Sequence, residues 1–174
     1  MMIKSTPRRS ARCSGQSTIE FTLVSIPLIF ILISTVEMAR GMWNYEMLAS
    51  AVRAGAHFAS THGKTCGTGL NTCTVKVSDV AKAIQSAAPG LPSDNFNIVM
   101  SSATAGPVSC SPLTSCLSNS ARWPPLIDSG QGLDVSISAS YTFRSAMSMF
   151  WPGAGHVQFG VFTFVAYTRQ PIQF

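Results

Sequence analysis

The sequence has little charge, and the charge near its start is one-sided. Only 11% of the 174 residues are charged, and residues 21–36 include none. No acidic residue precedes Glu20, but four basic ones do: Lys4, Arg8, Arg9 and Arg12. Extended back to Thr18, with Glu20 inside it, this apolar segment reaches the ~20 residues that a bilayer-spanning helix needs. The start of the chain therefore predicts a membrane anchor with its N-terminus in the cytoplasm, as the positive-inside bias requires.

The sequence also lacks the cleavage site of a secretory signal peptide. Such a site needs small residues after the apolar segment, and residues 36–40 offer none. The small residue lies before the apolar segment instead, at Gly15, and the fifth residue beyond it is Glu20. A carboxylate drawn to the bilayer centre costs about 2.5–3.5 kcal/mol on insertion scales. We therefore treat Glu20 as a candidate functional residue.

Catalytic patterns are absent as well. A phosphate-binding loop ending at Lys64 would need a glycine where Phe58 stands, and a dinucleotide turn starting at Gly67 would need one where Thr72 stands. There is no serine-centred nucleophile elbow, and the acidic residues are too few and scattered to predict a carboxylate pair. We expect no enzymatic activity and no cofactor.

Residues 15–21, Gly-Gln-Ser-Thr-Ile-Glu-Phe, resemble the class III leader of type IV pilins and pseudopilins. A prepilin peptidase cuts that leader after the glycine, on the cytoplasmic side. The continuation through Pro27, residues 37–41 and residues 51–59 resembles the TadE-like minor pseudopilins of tight-adherence secretion systems. The resemblance is dense over residues 15–59 and thin afterwards. Gln16 departs from the phenylalanine that the major type IV class carries after the cut, which fits the Tad branch better.

This resemblance implies a function in assembly. It implies processing between Gly15 and Gln16, and an N-terminal helix, with Glu20 and Phe21 on it, that packs subunits together. The function would be that of a minor pseudopilin that joins or primes a Tad/Flp-type pilus. Its partners would be a prepilin peptidase, other pilins and pseudopilins, an inner-membrane assembly platform and membrane lipid.

The implied location is the bacterial inner membrane, crossed once, with the C-terminal domain in the periplasm or, after assembly, in a surface pilus. A TadF-like, TadG-like or adhesive subunit stays open within the same system. The alternative of another class is a membrane-tethered periplasmic binding or enzymatic domain, which would keep residues 1–15.

The positive net charge belongs mostly to the leader. Residues 1–15 carry four positive charges and no negative one, whereas residues 16–174 carry eight basic and seven acidic residues. The processed chain is thus nearly neutral, which argues against a nucleic-acid partner.

The cysteines follow the same topology. Cys13 would be lost with the leader, and the other four lie outside the cytoplasm, where disulfides persist. Of the three possible connectivities we favour the two local ones, Cys66 with Cys73 and Cys110 with Cys116, because each closes a short loop rich in small and polar residues. His62, Cys66 and Cys73 could ligate a metal, but no second pair has ligand spacing, so we expect no metal site.

Beyond the anchor the sequence predicts an α+β fold. The resemblance implies that this fold is pilin-like. We divide the chain into a leader (1–15), a transmembrane helix (16–36), its extramembrane continuation (37–62) and a periplasmic α+β domain (63–174). The continuation is predicted from an apolar stripe at helical spacing: Met38, Met42, Tyr45, Ala49, Val52, Ala56 and Ala59. The stripe could pack on the chain's own sheet or on other subunits.

A short second helix and at least three antiparallel strands follow in the prediction. Residues 78–88 read as the helix, with Ser78 as N-cap, Asp79 in the first turn and Pro89-Gly90 as the stop. Residues 96–100 and 133–143 alternate as strands. Residues 157–167 carry apolar residues on both faces and predict a central strand or one covered on both sides. The long connection 101–131 indicates function or disorder. The apolar residues 147–151 form either a partner surface or the bottom of the core.

Overall fold

The chain forms a long helix, a short helix and a four-stranded antiparallel sheet. The computed structural model describes residues 15–64, 74–146 and 160–173. The helices are α1 (Gln16–Ser60) and α2 (Val77–Ser86). The strands are β1 (Phe96–Ser101), β2 (Val108–Cys110), β3 (Asp134–Arg144) and β4 (Val161–Pro171), in the order β2-β1-β3-β4. The predicted α+β fold is confirmed. The chain divides into two compact units, one up to Met38 and one from Ala39 onward.

In the first unit, four hydroxyl side chains of α1 donate to carbonyls of the helix itself. The hydroxyl of Ser34 donates to the carbonyl of Phe30 at 2.8 Å, and that of Thr35 to the carbonyl of Ile31 at 2.7 Å. Thr22 and Ser25 make the same kind of bond. A helix in lipid needs such internal pairing because the bilayer core offers no water. The helix continues through Pro27, and the kink expected there stays a prediction.

In the second unit, α1 packs through small residues. Its buried positions recur at steps of three and four from Leu48: Leu48, Ala51, Val52, Gly55, Ala56 and Ala59. The predicted stripe is therefore right from Val52 onward.

The earlier part of that stripe is not buried in the domain. Met38 and Met42 are exposed, Tyr45 is 44% exposed although its ring contacts Phe164, and Gly41 is the buried residue in this stretch. The ring of Phe164 explains the difference, since its Cζ lies 3.6 Å from where a Cβ at Gly41 would stand. The face that carries no side chain therefore turns inward at this level, and the methionines turn outward.

Gly55 sets the closest approach between α1 and the rest of the domain. A Cβ at this position would lie 2.4 Å from Cγ1 of Ile84 on α2 and 3.4 Å from Cδ1 of Ile137 on β3. Ile84 and Ile137 are themselves fully buried, so neither can move aside without disturbing the core. The absence of a side chain at Gly55 is what lets the two helices and the sheet meet.

The start of α2 differs from the prediction by two residues. Lys76 rather than Ser78 is the N-cap, and the carboxylate of Asp79 accepts a hydrogen bond from the Lys76 backbone N–H at 3.1 Å. The first N–H groups of the helix also find partners, because Val77 donates to the Ala121 carbonyl and Ser78 to that of Asn119. A tertiary contact with the long connection thus replaces the local serine cap.

The inward-facing residues of β1 and β3 follow the predicted alternation. Phe96, Ile98 and Met100 of β1 are buried, and so are the alternate residues of β3 from Val135 to Phe143. The central position predicted for the last strand is wrong, because β4 lies at one end of the described sheet. Val165 and Tyr167 on its outer face are exposed. Apolar residues on both faces of a run do not specify two covered faces, and here only Ala166 of this strand is buried.

The connection between β1 and β3 is ordered by one buried carboxylate. Asp128 accepts hydrogen bonds from the Ser102 hydroxyl at 2.7 Å, the Thr104 hydroxyl, and the backbone N–H groups of Thr104 at 3.0 Å and Ala105 at 2.7 Å. The pKa of Asp128 lies well below its usual range, mainly because the hydroxyls of Thr104 and Ser102 donate hydrogen bonds to its carboxylate. The connection is therefore structured, although its sequence was compatible with disorder.

A glycine pair in α1 tests the packing. Gly55→Ala should lower the free energy of unfolding by about 1–3 kcal/mol through overpacking, even though alanine favours helix by up to about 1 kcal/mol. Gly41→Ala meets ordinary contact and should be neutral or stabilising. Urea unfolding of the two full-length variants in detergent, followed by near-ultraviolet circular dichroism, measures both. Equal stabilities would contradict the contact with Ile84.

Asp128→Asn should destabilise the domain at neutral pH, because an amide puts a donor against backbone N–H groups. Since the folded pKa is depressed, the stability from the parent carboxylate is complete above the unfolded pKa of about 4 and is lost as pH falls below it. The difference between parent and variant should therefore shrink below about pH 4. Unfolding measured across pH checks this, with the exposed Asp94→Asn as control. A gap that stays constant down to acid pH would count against the assignment.

Candidate functional site

The first turn of α1 places the predicted processing residues at the helix start. The helix begins at Gln16, directly after Gly15, and the Ile19 N–H donates to the Gly15 carbonyl at 3.3 Å. Both Gly15 and Gln16 are exposed, and no atom of the described residues lies within 4 Å of where a Cβ at Gly15 would stand. The space around Gly15 would therefore admit a side chain without a clash.

Glu20 lies one turn further along the helix. Its Oε1 accepts a hydrogen bond from Nε2 of Gln16 at 3.2 Å, and the side chain is exposed. A carboxylate has about four acceptor positions, so this single bond leaves most of its capacity available. The structure thus brings Gln16 and Glu20 together on one exposed surface.

Phe21, the other predicted assembly residue, is adjacent in the helix and 74% exposed. Large apolar residues on either side of it are exposed as well, Ile19 and Leu23 among them. This part of α1 therefore presents one carboxylate beside large exposed apolar side chains.

The predicted cysteine pairs lie elsewhere. A disulfide joins Cys110 at the end of β2 to Cys116 in the following turn, with 5.6 Å between their Cα atoms. Both residues are buried, so this bond is part of the core and not of the site on α1. Cys66 and Cys73 lie outside the described residues, as does the apolar segment 147–151.

The structure also shows a cluster that sequence reasoning missed. The Tyr45 and Phe164 rings meet edge to face with centroids 6.1 Å apart, and those of Phe143 and Phe164 lie 5.8 Å apart. The Arg40 guanidinium lies 5.6 Å from the centre of the Phe143 ring. These residues come from three elements, and only the register of β3 on β4, which pairs Tyr141 with Phe164, brings them together. No local pattern predicted it.

Within the described residues, no three His, Cys, Asp or Glu side chains lie close enough to hold a metal ion. Besides Asp128, the group with a resolved pKa shift is Arg169, whose pKa is raised by its hydrogen bond to Asp134 on the neighbouring strand. Both shifts have structural causes. The electrostatics of this part of the chain therefore single out no reactive group.

The length and composition of α1 are those of a membrane-crossing helix. It is apolar enough to span a bilayer, and no residue of its most apolar stretch is buried.

The comparison with known families gives this helix its identity. Residues 15–57 match the model of the TadE-like protein family. The helix is TadE-like. The match begins at Gly15 and ends three residues before the end of α1, so it covers the helix and not the sheet. No curated protein and no solved structure matches the chain.

Proposed function

We propose that the chain is a minor pseudopilin that joins or primes a Tad pilus through its TadE-like helix. The observation that carries this proposal is the coincidence of three boundaries. The family match starts at Gly15, α1 starts at Gln16, and the predicted peptidase cut falls between them. The role is structural rather than enzymatic.

The apolar surface of α1 supports helix-to-helix assembly. Its apolar stretch has no buried residue, so its partners are lipid in the membrane and other subunits in a fibre. Association between helices in lipid depends on close packing and on polar groups, and Glu20 is the one charged residue in segment 16–36. The second half of the helix has a different partner, because its small residues are already buried within the domain.

The topology follows from charge. The basic leader favours a cytoplasmic N-terminus, which exposes the Gly15 peptide to a peptidase on that side and places the domain in the periplasm. The disulfide between Cys110 and Cys116 is compatible with that oxidising compartment. A membrane-tethered domain of another function would share this topology but would keep its leader.

Processing adds a charged group beside Glu20. Cutting after Gly15 makes the Gln16 nitrogen a free amine, and no basic side chain lies within segment 16–36. When helices bundle, the water around Glu20 is lost and the carboxylate needs a partner. The amine of a neighbouring subunit supplies one, and the pairing would set the stagger between helices.

The cut is tested by replacing Gly15. In a host with its prepilin peptidase, mass spectrometry of the parent should show loss of residues 1–15. Gly15→Ala should retain them. Because a Cβ at this position meets no atom of the described residues within 4 Å, a block would report on the peptidase and not on a clash within the helix. Intact Met1 in functional fibres would contradict the proposal.

The charge of Glu20 is tested by Glu20→Gln, which keeps a side chain able to hydrogen-bond Gln16 and removes the charge. Insertion and processing should be nearly normal, whereas cross-linking to other pilus subunits should fall several-fold. Glu46→Gln, an exposed position on the same helix beyond the span, is the matched control. If Glu20→Gln cross-links as well as the parent, the charge-pairing role is wrong.

A further inference from the structure

The backbone hydrogen bonds at the two ends of β4 show which of its residues face β3. Before the strand, the Ser145 N–H donates to the Gly160 carbonyl at 2.7 Å. After it, the Ile172 N–H donates to the Leu133 carbonyl at 2.8 Å. The register of β4 on β3 is continuous between these two bonds, and successive residues of an antiparallel strand point their backbone groups in alternate directions. Even-numbered residues of β4 therefore turn their N–H and C=O groups toward β3, and odd-numbered residues turn theirs away.

The outward backbone groups of β4 form an unpaired row. Within the part of the chain that the structure describes, none of them has a hydrogen-bond partner, because β4 is the last strand of the described sheet. Pro171, which has no N–H, continues the same alternation, as is usual for proline in an edge strand. We name the β4 edge by the five residues with an outward N–H: Val161, Thr163, Val165, Tyr167 and Arg169.

The two edges of the described sheet differ in how well they are protected against pairing. At the other edge, β2 has only three residues, and its last one is tied by a disulfide to the following turn. Natural edge strands avoid pairing by being short or by carrying charge, proline or a bulge. Residues 161–168 of β4 have no charge and no proline, and their register has no bulge. The β4 edge is therefore open to another strand over most of its length.

We propose that an extended segment of a different pilus subunit pairs along the β4 edge as a further strand of the sheet. This inference rests on the proposed function, which supplies such partners. An extended chain is the occupant whose own N–H and C=O groups alternate at the spacing of the unpaired row. Val165 and Tyr167 of the edge are 61% and 64% exposed, so apolar side chains of the added strand would pack beside them.

Charge selects a different subunit over a second copy of this chain. Arg169 is the one charged residue of β4, and its side chain is 62% exposed. It donates a hydrogen bond to Asp134, but a guanidinium has five N–H donors. A second copy of β4 would add another arginine and no carboxylate. A strand with an acidic residue opposite Arg169 would add an ion pair instead. The partner segment is thus extended, largely apolar and acidic at one position.

Photocross-linking in a host that makes the pilus tests the β4 edge. In separate full-length variants, p-benzoylphenylalanine replaces Tyr167, Ser109 or Phe21, and mass spectrometry identifies the adducts after irradiation. Ser109 is the matched control, since the strand register places it on the same face and at the same level as Tyr167. It is exposed but lies on β2, about 14 Å away across the sheet. Phe21 reports the proposed assembly through α1.

Two substitutions at one position separate backbone pairing from side-chain contact. In the Tyr167 variant, Val165→Pro removes an outward N–H and leaves the inward hydrogen bonds to β3 in place, whereas Val165→Ala keeps that N–H. We expect adducts between Tyr167 and a different pilus subunit, several-fold fewer from Ser109, a several-fold loss with Val165→Pro and little loss with Val165→Ala. Thr163→Pro repeats the test at the next outward N–H, so a misfolded Val165→Pro variant cannot conceal the answer.

Other outcomes would overturn the inference. Equal adducts from Tyr167 and Ser109, or equal effects of the proline and alanine substitutions at Val165, would exclude pairing along the β4 edge. Adducts of Tyr167 to a second copy of the chain or to lipid would overturn the assigned occupant. Adducts at Phe21 with none at Tyr167 would overturn the β4 edge and leave the proposed function standing. No adduct to a pilus subunit at either position would overturn both.

Discussion

The fold depends on how closely α1 can approach the elements beneath it. At Gly55 the helix backbone comes so near to Ile84 that even a methyl group would overlap it, and Ile137 lies at contact distance from the same point. This contact connects α1, α2 and β3 at one point in the core. The small residues before and after it, Ala51, Ala56 and Ala59, are fully buried for the same reason. A larger side chain on this face would separate the helix from the sheet, and the apolar area buried between them would be lost.

Nearer its start, the same helix has large side chains where the core stretch has small ones. There its residues are large, apolar and unburied, which suits lipid or neighbouring helices rather than the chain's own domain. Four of its hydroxyls donate to carbonyls of the same helix, so these groups need no partner from outside. The TadE-like match thus covers both the unburied segment, through which we propose assembly, and most of the stretch that serves as a core helix. Composition rather than a break in the helix distinguishes the two.

Features that depend on neighbouring residues could be predicted from the sequence. The alternation of β3, the existence of α2 and the clustering of Gly15, Gln16 and Glu20 within the first turns of α1 are local. The phase of the helix near Met42 could not be predicted, because it is set by the ring of Phe164, which is distant in sequence. The edge position of β4 depends on strand order, and periodicity does not encode that order. The hydrogen bonds around Asp128 likewise join residues more than twenty positions apart.

The central claim is that two environments stabilise the two parts of α1 separately. Hydrogen–deuterium exchange of the full-length parent and of Gly55→Ala, both in lipid nanodiscs, tests it most directly. The core contact at Gly55 should control exchange of the amides in residues 48–60, which should become faster in the variant. Amides in residues 21–34, protected by lipid, should exchange at the parent's rate. Faster exchange in both segments together would show a single cooperative unit and would contradict the account.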